Sequence, residues 1–290
     1  MMARVGIFLI WLLHFLPLPV LAGLGRGLGW LLYAFARERR RVARINLRLC
    51  FPGRADAERE KLVRRQFQAF GRSLLERGLA WWSRPQRLRR IVRVVGREHL
   101  EAQRGRPVIL FAPHFVGLDM GWIRLTLDDR LASMYSVQKN PAFDRRMLAG
   151  RRRFKQPLLL SRQQGLRPIV KALKDGLPFY YLPDMDYGPR DALFVPFFGV
   201  PAATITGLPR LAGMVGAAVI PCITRQLPGG QGYEVKFYPA WENYPAGDMA
   251  ADVRRMNAFL EERVEEMPEQ YFWLHKRFKT RPEGEARFYR

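Results

Sequence analysis

From residue 91 onward the chain alternates short apolar runs with longer amphipathic ones, and this alternation is what most restricts the fold. The apolar runs are Ile91–Val95, Val108–Ala112, Ala132–Val137, Leu158–Leu160, Phe179–Leu182, Ala217–Ile223 and Tyr233–Phe237. Each is short and bounded by turn-forming or charged residues, which predicts buried strands. Between them, helical spacing predicts helices at Leu118–Leu127, Ala142–Arg153, Leu166–Lys174, Thr206–Val215 and Met249–Met267. Thr206 is placed to cap its helix, with Pro209 in the first turn, where the missing N–H costs nothing. Strands alternating with helices predict an α/β class fold with a mixed central sheet flanked by helices. Residues 37–90 read as mostly helical: Leu62, Phe67, Phe70, Leu74, Leu75 and Leu79 recur at roughly helical spacing. Pro52-Gly53 is a turn before them, and Asp56 is a candidate cap.

The N-terminus and the charge balance set the environment. Val5 to Leu24 carries no Lys, Arg, Asp or Glu over twenty residues, long enough to cross a bilayer as a helix. Pro17 and Pro19 interrupt it, so a monotopic insertion is the alternative to a span. A second apolar stretch, Leu28 to Ala36, follows at once, which suits a retained anchor rather than a cleaved signal. The expected division is therefore an anchor over residues 1–36 and a domain over residues 37–290. Gly23, Gly25, Gly27 and Gly29 lack the preceding strand and following Lys-Ser/Thr of a nucleotide loop and read as a flexible joint. The block Arg37-Glu38-Arg39-Arg40-Arg41 then places the rest of the chain on the cytoplasmic side, and its arginines suit anionic headgroups. Overall, 49 basic residues against 26 acidic give a formal charge of +23, which favours anionic partners. Two cysteines in unrelated contexts, Cys50 and Cys222, exclude a disulfide framework, and the four histidines show no metal-ligand spacing.

Within this frame the segment Ala112-Pro113-His114-Phe115-Val116-Gly117-Leu118-Asp119 holds the most chemistry. His114 falls just past the C-terminal end of a predicted strand, where α/β sheets place their sites. A histidine with a carboxylate partner is a general-base pair; the alternative is a loop histidine beside a helix-capping Asp119. Arg145, Arg146, Arg151, Arg152, Arg153 and Lys155 form a basic cluster, either a solvated helix face or a phosphate grip. The run Pro183-Asp184-Met185-Asp186-Tyr187-Gly188-Pro189-Arg190 has turn chemistry, yet strand-end carboxylates beside an arginine also suit a substrate. Phe194-Val195-Pro196-Phe197-Phe198-Gly199-Val200-Pro201 reads as an aromatic loop, for acyl chains or for burial.

Four segments resemble the late acyltransferases of lipid A biosynthesis, the lauroyl and myristoyl transferases acting on Kdo-lipid IVA in Gram-negative bacteria. They are His114–Asp119, Pro183–Arg190, Phe194–Phe198 and Pro268-Glu269-Gln270-Tyr271-Phe272-Trp273-Leu274-His275-Lys276-Arg277-Phe278-Lys279-Thr280-Arg281-Pro282. Arg44-Ile45-Asn46-Leu47 and Cys50-Phe51-Pro52 are similar to that family's segment after the anchor. The resemblance covers essentially the whole chain. His-x4-Asp alone is shared by many glycerolipid acyltransferases, whereas the two later blocks are more specific.

The resemblance implies a glycerolipid-acyltransferase-like fold with an N-terminal membrane-anchoring helix, at the bacterial inner membrane with its catalytic domain on the cytoplasmic face. It implies transfer of a fatty acyl group from acyl carrier protein to the hydroxyl of a 3-hydroxyacyl chain on an anionic, phosphorylated glycolipid acceptor, without cofactor or metal. His114 is then the base and Asp119 its orienting partner; many members carry Glu at that position, so the side chain here is one methylene shorter. The family's functional arginine falls on Arg151, with Arg152 and Arg153 adjacent, and its later aspartate on Asp184. Asp186 and Arg190 complete the expected substrate-binding set.

Other readings are an acyltransferase for glycerol phosphate, ornithine lipid or another glycolipid and, from a different class, a non-enzymatic binder of anionic lipid or nucleic acid. A polynucleotide groove explains neither the anchor nor the strand-end His114, so no nucleic-acid partner is expected. A Cys222 nucleophile lacks a nearby histidine, and His275 reads as part of a packing and positioning segment.

Overall fold

The structure, a computed structural model, describes residues 2–289. The chain opens with helices α1 (Met2–Leu13), α2 (Leu18–Phe35), α3 (Arg37–Cys50), α4 (Asp56–Trp82) and α5 (Pro85–Ile91). There follow β1 (Val92–Val95), α6 (Arg97–Glu101), β2 (Val108–Phe111), α7 (Leu118–Leu125), β3 (Ala132–Tyr135), α8 (Pro141–Arg151), β4 (Leu158–Ser161), α9 (Arg167–Lys174) and β5 (Phe179–Tyr181). The last part contains β6 (Ala192–Phe197), β7 (Val200–Ile205), α10 (Gly207–Val215), β8 (Ala218–Gln226), β9 (Tyr233–Phe237) and α11 (Met249–Glu266).

Seven strands form one sheet in the order β1-β9-β8-β2-β5-β3-β4, and all seven correspond to apolar runs read from the sequence. Every pairing in it is parallel except β8 with β9. Parallel strands are buried on both faces, and β2 displays the reason for its unbroken apolar run. Val108, Leu110 and Ala112 point into a core shared with α2, α4 and α7. Ile109 and Phe111 point into the opposite core, with α9, α10 and α11. The fold is thus a mixed α/β sandwich of three layers. A third cluster joins α3 and α4 to the β6–β7 hairpin and the C-terminal block through Leu47, Phe67, Phe197, Trp273 and Phe278. The segment expected as an aromatic loop is this hairpin: Phe197 is fully buried and Phe194 faces outward.

At the N-terminus the sequence expectation is corrected. Val5–Leu24 is not one helix, because the chain turns at 14–17 and restarts with Pro17 at the N-cap of α2. Among the described residues, the helix long and apolar enough to cross a membrane is instead Leu18–Phe35. The glycine run is no joint: it lies inside α2, and two of its members make a close helix crossing. A Cβ on Gly29 would stand 2.4 Å from the Phe67 carbonyl oxygen, and one on Gly71 of α4 would stand 2.3 Å from that of Gly25. Small residues at i and i+4 let two backbones touch, and the dispersion contacts compensate for glycine's poor helix propensity. The crossing buries Leu18, Leu21, Ala22, Gly25 and Gly29. Phe8, Trp11, Phe15, Trp30, Leu31 and Phe35 remain exposed on the outside. Asp56 is the first helical residue of α4 rather than its cap; Ala55 takes that position, and Glu58 accepts the Ala55 N–H at 3.3 Å. Thr206 does occupy the cap position of α10, but its hydroxyl donates to the Asp191 carbonyl instead of capping.

The crossing predicts opposite outcomes for two neighbouring glycines. Gly29→Ala forces a methyl into backbone and is expected to cost about 1–3 kcal/mol or more. Gly27 has nothing within 4 Å of its Cβ direction, so Gly27→Ala is expected to stabilise by about 0.5–1 kcal/mol. Thermal unfolding in detergent checks both; equal melting points would sink the close-crossing account.

Candidate active site

The chemistry gathers where β2 and β5 end side by side. Their parallel register pairs Phe111 with Tyr181, and the Ala112 N–H donates to the Tyr181 carbonyl at 2.8 Å. Each strand then runs through one apolar residue and a proline, so His114 and Asp184 emerge at equivalent positions. Asp184 holds the histidine twice. Its Oδ2 accepts the His114 backbone N–H at 3.0 Å, and its Oδ1 accepts from Nδ1 at 2.7 Å. Asp184 is fully buried, whereas a quarter of the His114 side chain is exposed. Burial alone pushes the Asp184 carboxyl up, but the His114 ring and N–H outweigh it and hold the group below its ordinary value. With Nδ1 donating to a carboxylate, Nε2 carries the ring's lone pair and is the atom left for a substrate.

This arrangement replaces the expected pairing of His114 with Asp119. Asp119 sits in the first turn of α7, and both of its oxygens are taken by guanidinium groups. Arg151, the last residue of α8, donates from Nη2 at 2.7 Å and from Nε at 3.2 Å to Oδ1. Arg77 of α4 places Nε 3.2 Å from Oδ2. Burial raises the Asp119 carboxyl, and the two arginines together overcome this and bring it down to about 2. The HX4D carboxylate therefore ties three helices, α4, α7 and α8, and fixes two cations near the histidine loop.

The other predicted residues separate. Arg153 donates to the Ala80 and Ser83 carbonyls at 2.7 Å each, so it caps the end of α4. Burial and the neighbouring Arg146 lower its pKa to about 10. Arg152 is exposed after α8, and Arg146 lies over the Trp81 and Trp82 rings. Of the cluster, only Arg151 joins Asp119. Asp186 is a clamp, not an open ligand: its carboxylate accepts the Thr280 N–H at 2.6 Å, the Thr280 hydroxyl at 2.8 Å and the Gly188 N–H at 2.9 Å. Arg190 projects into solvent, 96% exposed, with Asp191 4.0 Å away.

The C-terminal block lies against the histidine loop. The Phe272 N–H donates to the His114 carbonyl at 3.0 Å, the Val116 N–H to the Gln270 carbonyl at 2.9 Å, and Phe115 bridges Tyr271. Asn46 of α3 secures the block by donating to the Trp273 and His275 carbonyls at 2.7 and 2.8 Å. His275 is pushed down to about 4 by burial, by His114 and by Arg277, so it stays neutral near pH 7. The Cys222 thiol is buried and its pKa is pushed up, which makes it a poor nucleophile. Sequence reading missed Arg77, one arginine among many on a long amphipathic helix, and Asn46, whose signal was only its place in a family-like segment.

Residues 1–280 match the family described as bacterial lipid A biosynthesis acyltransferase. The chain is 39% identical to the lipid A biosynthesis lauroyltransferase of Escherichia coli K12 over 283 residues, 96% of this chain and 92% of that one. It is 34% identical to the palmitoleoyltransferase of the same organism, covering 98% and 93%, and 33% identical to the myristoyltransferase, covering 94% and 84%. A crystal structure of a 1-acyl-sn-glycerophosphate acyltransferase from Thermotoga maritima is similar with a TM-score of 0.39 and 16% identity, covering 80% of this chain and 97% of that one.

The ion triad makes a pH prediction. An Asp held at about 2, below the unfolded value of about 3.9, contributes stability above pH 4 that is lost as pH falls toward 2. The contribution is on the order of 2 kcal/mol. Asp119→Asn is expected to lower stability at pH 7 by that order and to flatten acid unfolding between pH 4 and 2. An acid limb identical to wild type would remove the triad from the stability account.

Proposed function

The chain belongs to the bacterial lipid A biosynthesis acyltransferases, and from that premise we propose a general-base mechanism in which Asp184, not Asp119, is the carboxylate partner of His114. As a member of the family the protein is an acyltransferase of late lipid A synthesis. In the proposed reaction the acyl donor is acyl carrier protein and the acceptor is the hydroxyl of a 3-hydroxyacyl chain on a phosphorylated lipid A precursor. The observation that carries the reading is the double hold of buried Asp184 on His114.

A secondary alcohol is too weak an acid to attack a thioester unaided. His114 Nε2 takes the hydroxyl proton as the new C–O bond forms at the thioester carbonyl. Asp184 fixes the tautomer and stabilises the imidazolium that results. Collapse of the tetrahedral intermediate breaks the C–S bond, and the imidazolium returns the proton to the departing carrier thiolate. Arg151 and Arg77 against Asp119 leave a net positive charge five residues after the base, suited to anionic parts of donor or acceptor. Arg152 and Arg190, exposed at the surface, are assigned no substrate contact.

For the setting, we place the outer apolar face of α1 and α2 in the bacterial inner membrane with the sheet on the cytoplasmic side. One face of α2 is packed on α4, which favours a monotopic seat over a lone span.

The variants separate the two carboxylates. His114→Ala is expected to lower kcat by about 10²–10⁴ while the protein stays folded. Asp184→Asn is expected to fall in the same range, because an amide neither fixes that tautomer nor stabilises the cation. Asp119→Asn is expected to act mainly on KM. Steady-state transfer to a tetra-acylated acceptor is the measurement. Near-wild-type kcat in Asp184→Asn, with kcat abolished in Asp119→Asn, would reverse the assignment.

A further inference from the structure

A second site-like feature lies along α3 and α4. A groove with a volume of about 680 Å³ runs between these helices, lined also by Tyr33 and Phe288. Its α3 wall carries Arg41, Arg44 and Arg48, three and four residues apart and hence on one helical face. The opposite face of α3, with Val42, Ala43, Leu47 and Cys50, is buried. The α4 wall adds Arg59 and Arg64, so five arginines face two carboxylates, Asp56 and Glu60, for a net +3.

The pairing within the groove is uneven. Glu60 holds Arg44 through bonds of 2.7 and 2.8 Å. Arg59 is engaged by Asp56 and donates to the Phe51 carbonyl at 2.9 Å. Arg41 and Arg48 are exposed, and each side chain is without a hydrogen-bond or ion-pair partner among the described residues. Their Cα atoms lie seven residues apart, about 10 Å along the helix, a separation that two guanidiniums reach across to one phosphate group.

The groove also borders the apolar surface. Arg64 lies 5.6 Å from the Tyr33 ring and 6.0 Å from that of Trp30. Trp30, Leu31 and Phe35 of the same helix are exposed. A cationic slot beside an apolar strip matches a single amphipathic molecule: a phosphodiester in the slot, acyl chains along the helix.

We propose that this groove binds the headgroup of an anionic phospholipid of the membrane itself, distinct from donor and acceptor. The proposal rests on the membrane-surface placement given above and does not depend on the His114 chemistry. It has a consequence for turnover, because α3 also secures the loop over His114. Asn46 holds the Trp273 and His275 carbonyls, and Arg39 donates to that of Leu274 at 3.0 Å. A lipid that fixes α3 steadies this block.

The test uses full-length protein and acceptor-free vesicles of phosphatidylcholine, alone or mixed with phosphatidylglycerol, in co-sedimentation. Wild type is expected to prefer the anionic vesicles. R41Q/R48Q is expected to lose about tenfold or more of that preference, at about 1 kcal/mol per arginine near an anionic surface, with an unchanged melting temperature. R104Q/R106Q, which removes two exposed charges outside the groove, is expected to keep the preference. Equal losses in both variants would mean diffuse attraction and overturn the groove. Unchanged vesicle binding in R41Q/R48Q, with a raised KM for acyl carrier protein, would also overturn it and assign the groove to carrier docking. H114A is expected to bind vesicles like wild type, so loss of turnover there speaks only to the proposed base.

Discussion

A carboxylate with no exposed surface is tolerable as an anion only if its partners stay within reach, and Asp184 meets that demand through His114. Leaving a buried acceptor without its donors typically costs about 1–3 kcal/mol, more for a charged one, so the pair constrains everything that positions it. First among these is the register of β2 and β5, which sets Phe111 opposite Tyr181. A one-residue slip would turn Ile109 and Phe111 out of their core while displacing His114 from Asp184. Packing and site geometry thus select the same register. The Tyr271 hydroxyl donates to the Asp184 carbonyl at 3.4 Å, and the Phe272 N–H holds the His114 carbonyl. One short segment of the C-terminal block therefore braces both partners.

The remainder of that block is held by polar groups that the chain itself satisfies. Arg277 is 1% exposed, donates to the Ala203 carbonyl at 3.0 Å and the Thr204 hydroxyl at 2.9 Å, and lies over Phe197. These bonds bind the block to the β6–β7 hairpin. Three residues later in the block, Thr280 gives both its donors to Asp186, which ties the block to the run after β5. The strand-end run that carries Asp184 is in this way anchored two residues further on, which limits the freedom of the loop. Asp184 and Asp186 look equivalent as strand-end acids, yet one faces the histidine and the other the tail.

That division marks the boundary of what sequence makes legible. Local pattern located the sheet well, because strands such as Val108–Phe111, buried on both faces, leave an uninterrupted apolar run. It also placed His114 and Asp184 past strand ends. Pairing them needs the knowledge that β2 and β5 are neighbours, which is tertiary information: seventy residues separate His114 from Asp184, and the two meet only in the fold. The closeness in sequence of His114 and Asp119 suggested a dyad that the helix start does not make, since α4 and α8 deliver guanidiniums to Asp119 instead. The glycine run misled for a related reason. Gly25 and Gly29 look like weak helix formers until the α4 backbone at Phe67, Gln68 and Arg72 supplies a surface that admits nothing larger.

The same crossing decides how the apolar surface is connected to the site. A helix joined only by a linker would leave that surface free to move relative to the site. Here α2 touches α4 backbone to backbone, α4 contributes Arg77 to the Asp119 triad, and α3, which follows α2 after a single non-helical residue, holds the C-terminal block through Asn46. Two rigid routes therefore run from the exposed aromatic face to either side of the histidine loop. Because α2 and α4 meet backbone to backbone, α2 cannot tilt against α4 without opening the glycine crossing. The orientation of the base relative to the outer apolar face is consequently a property of the fold itself.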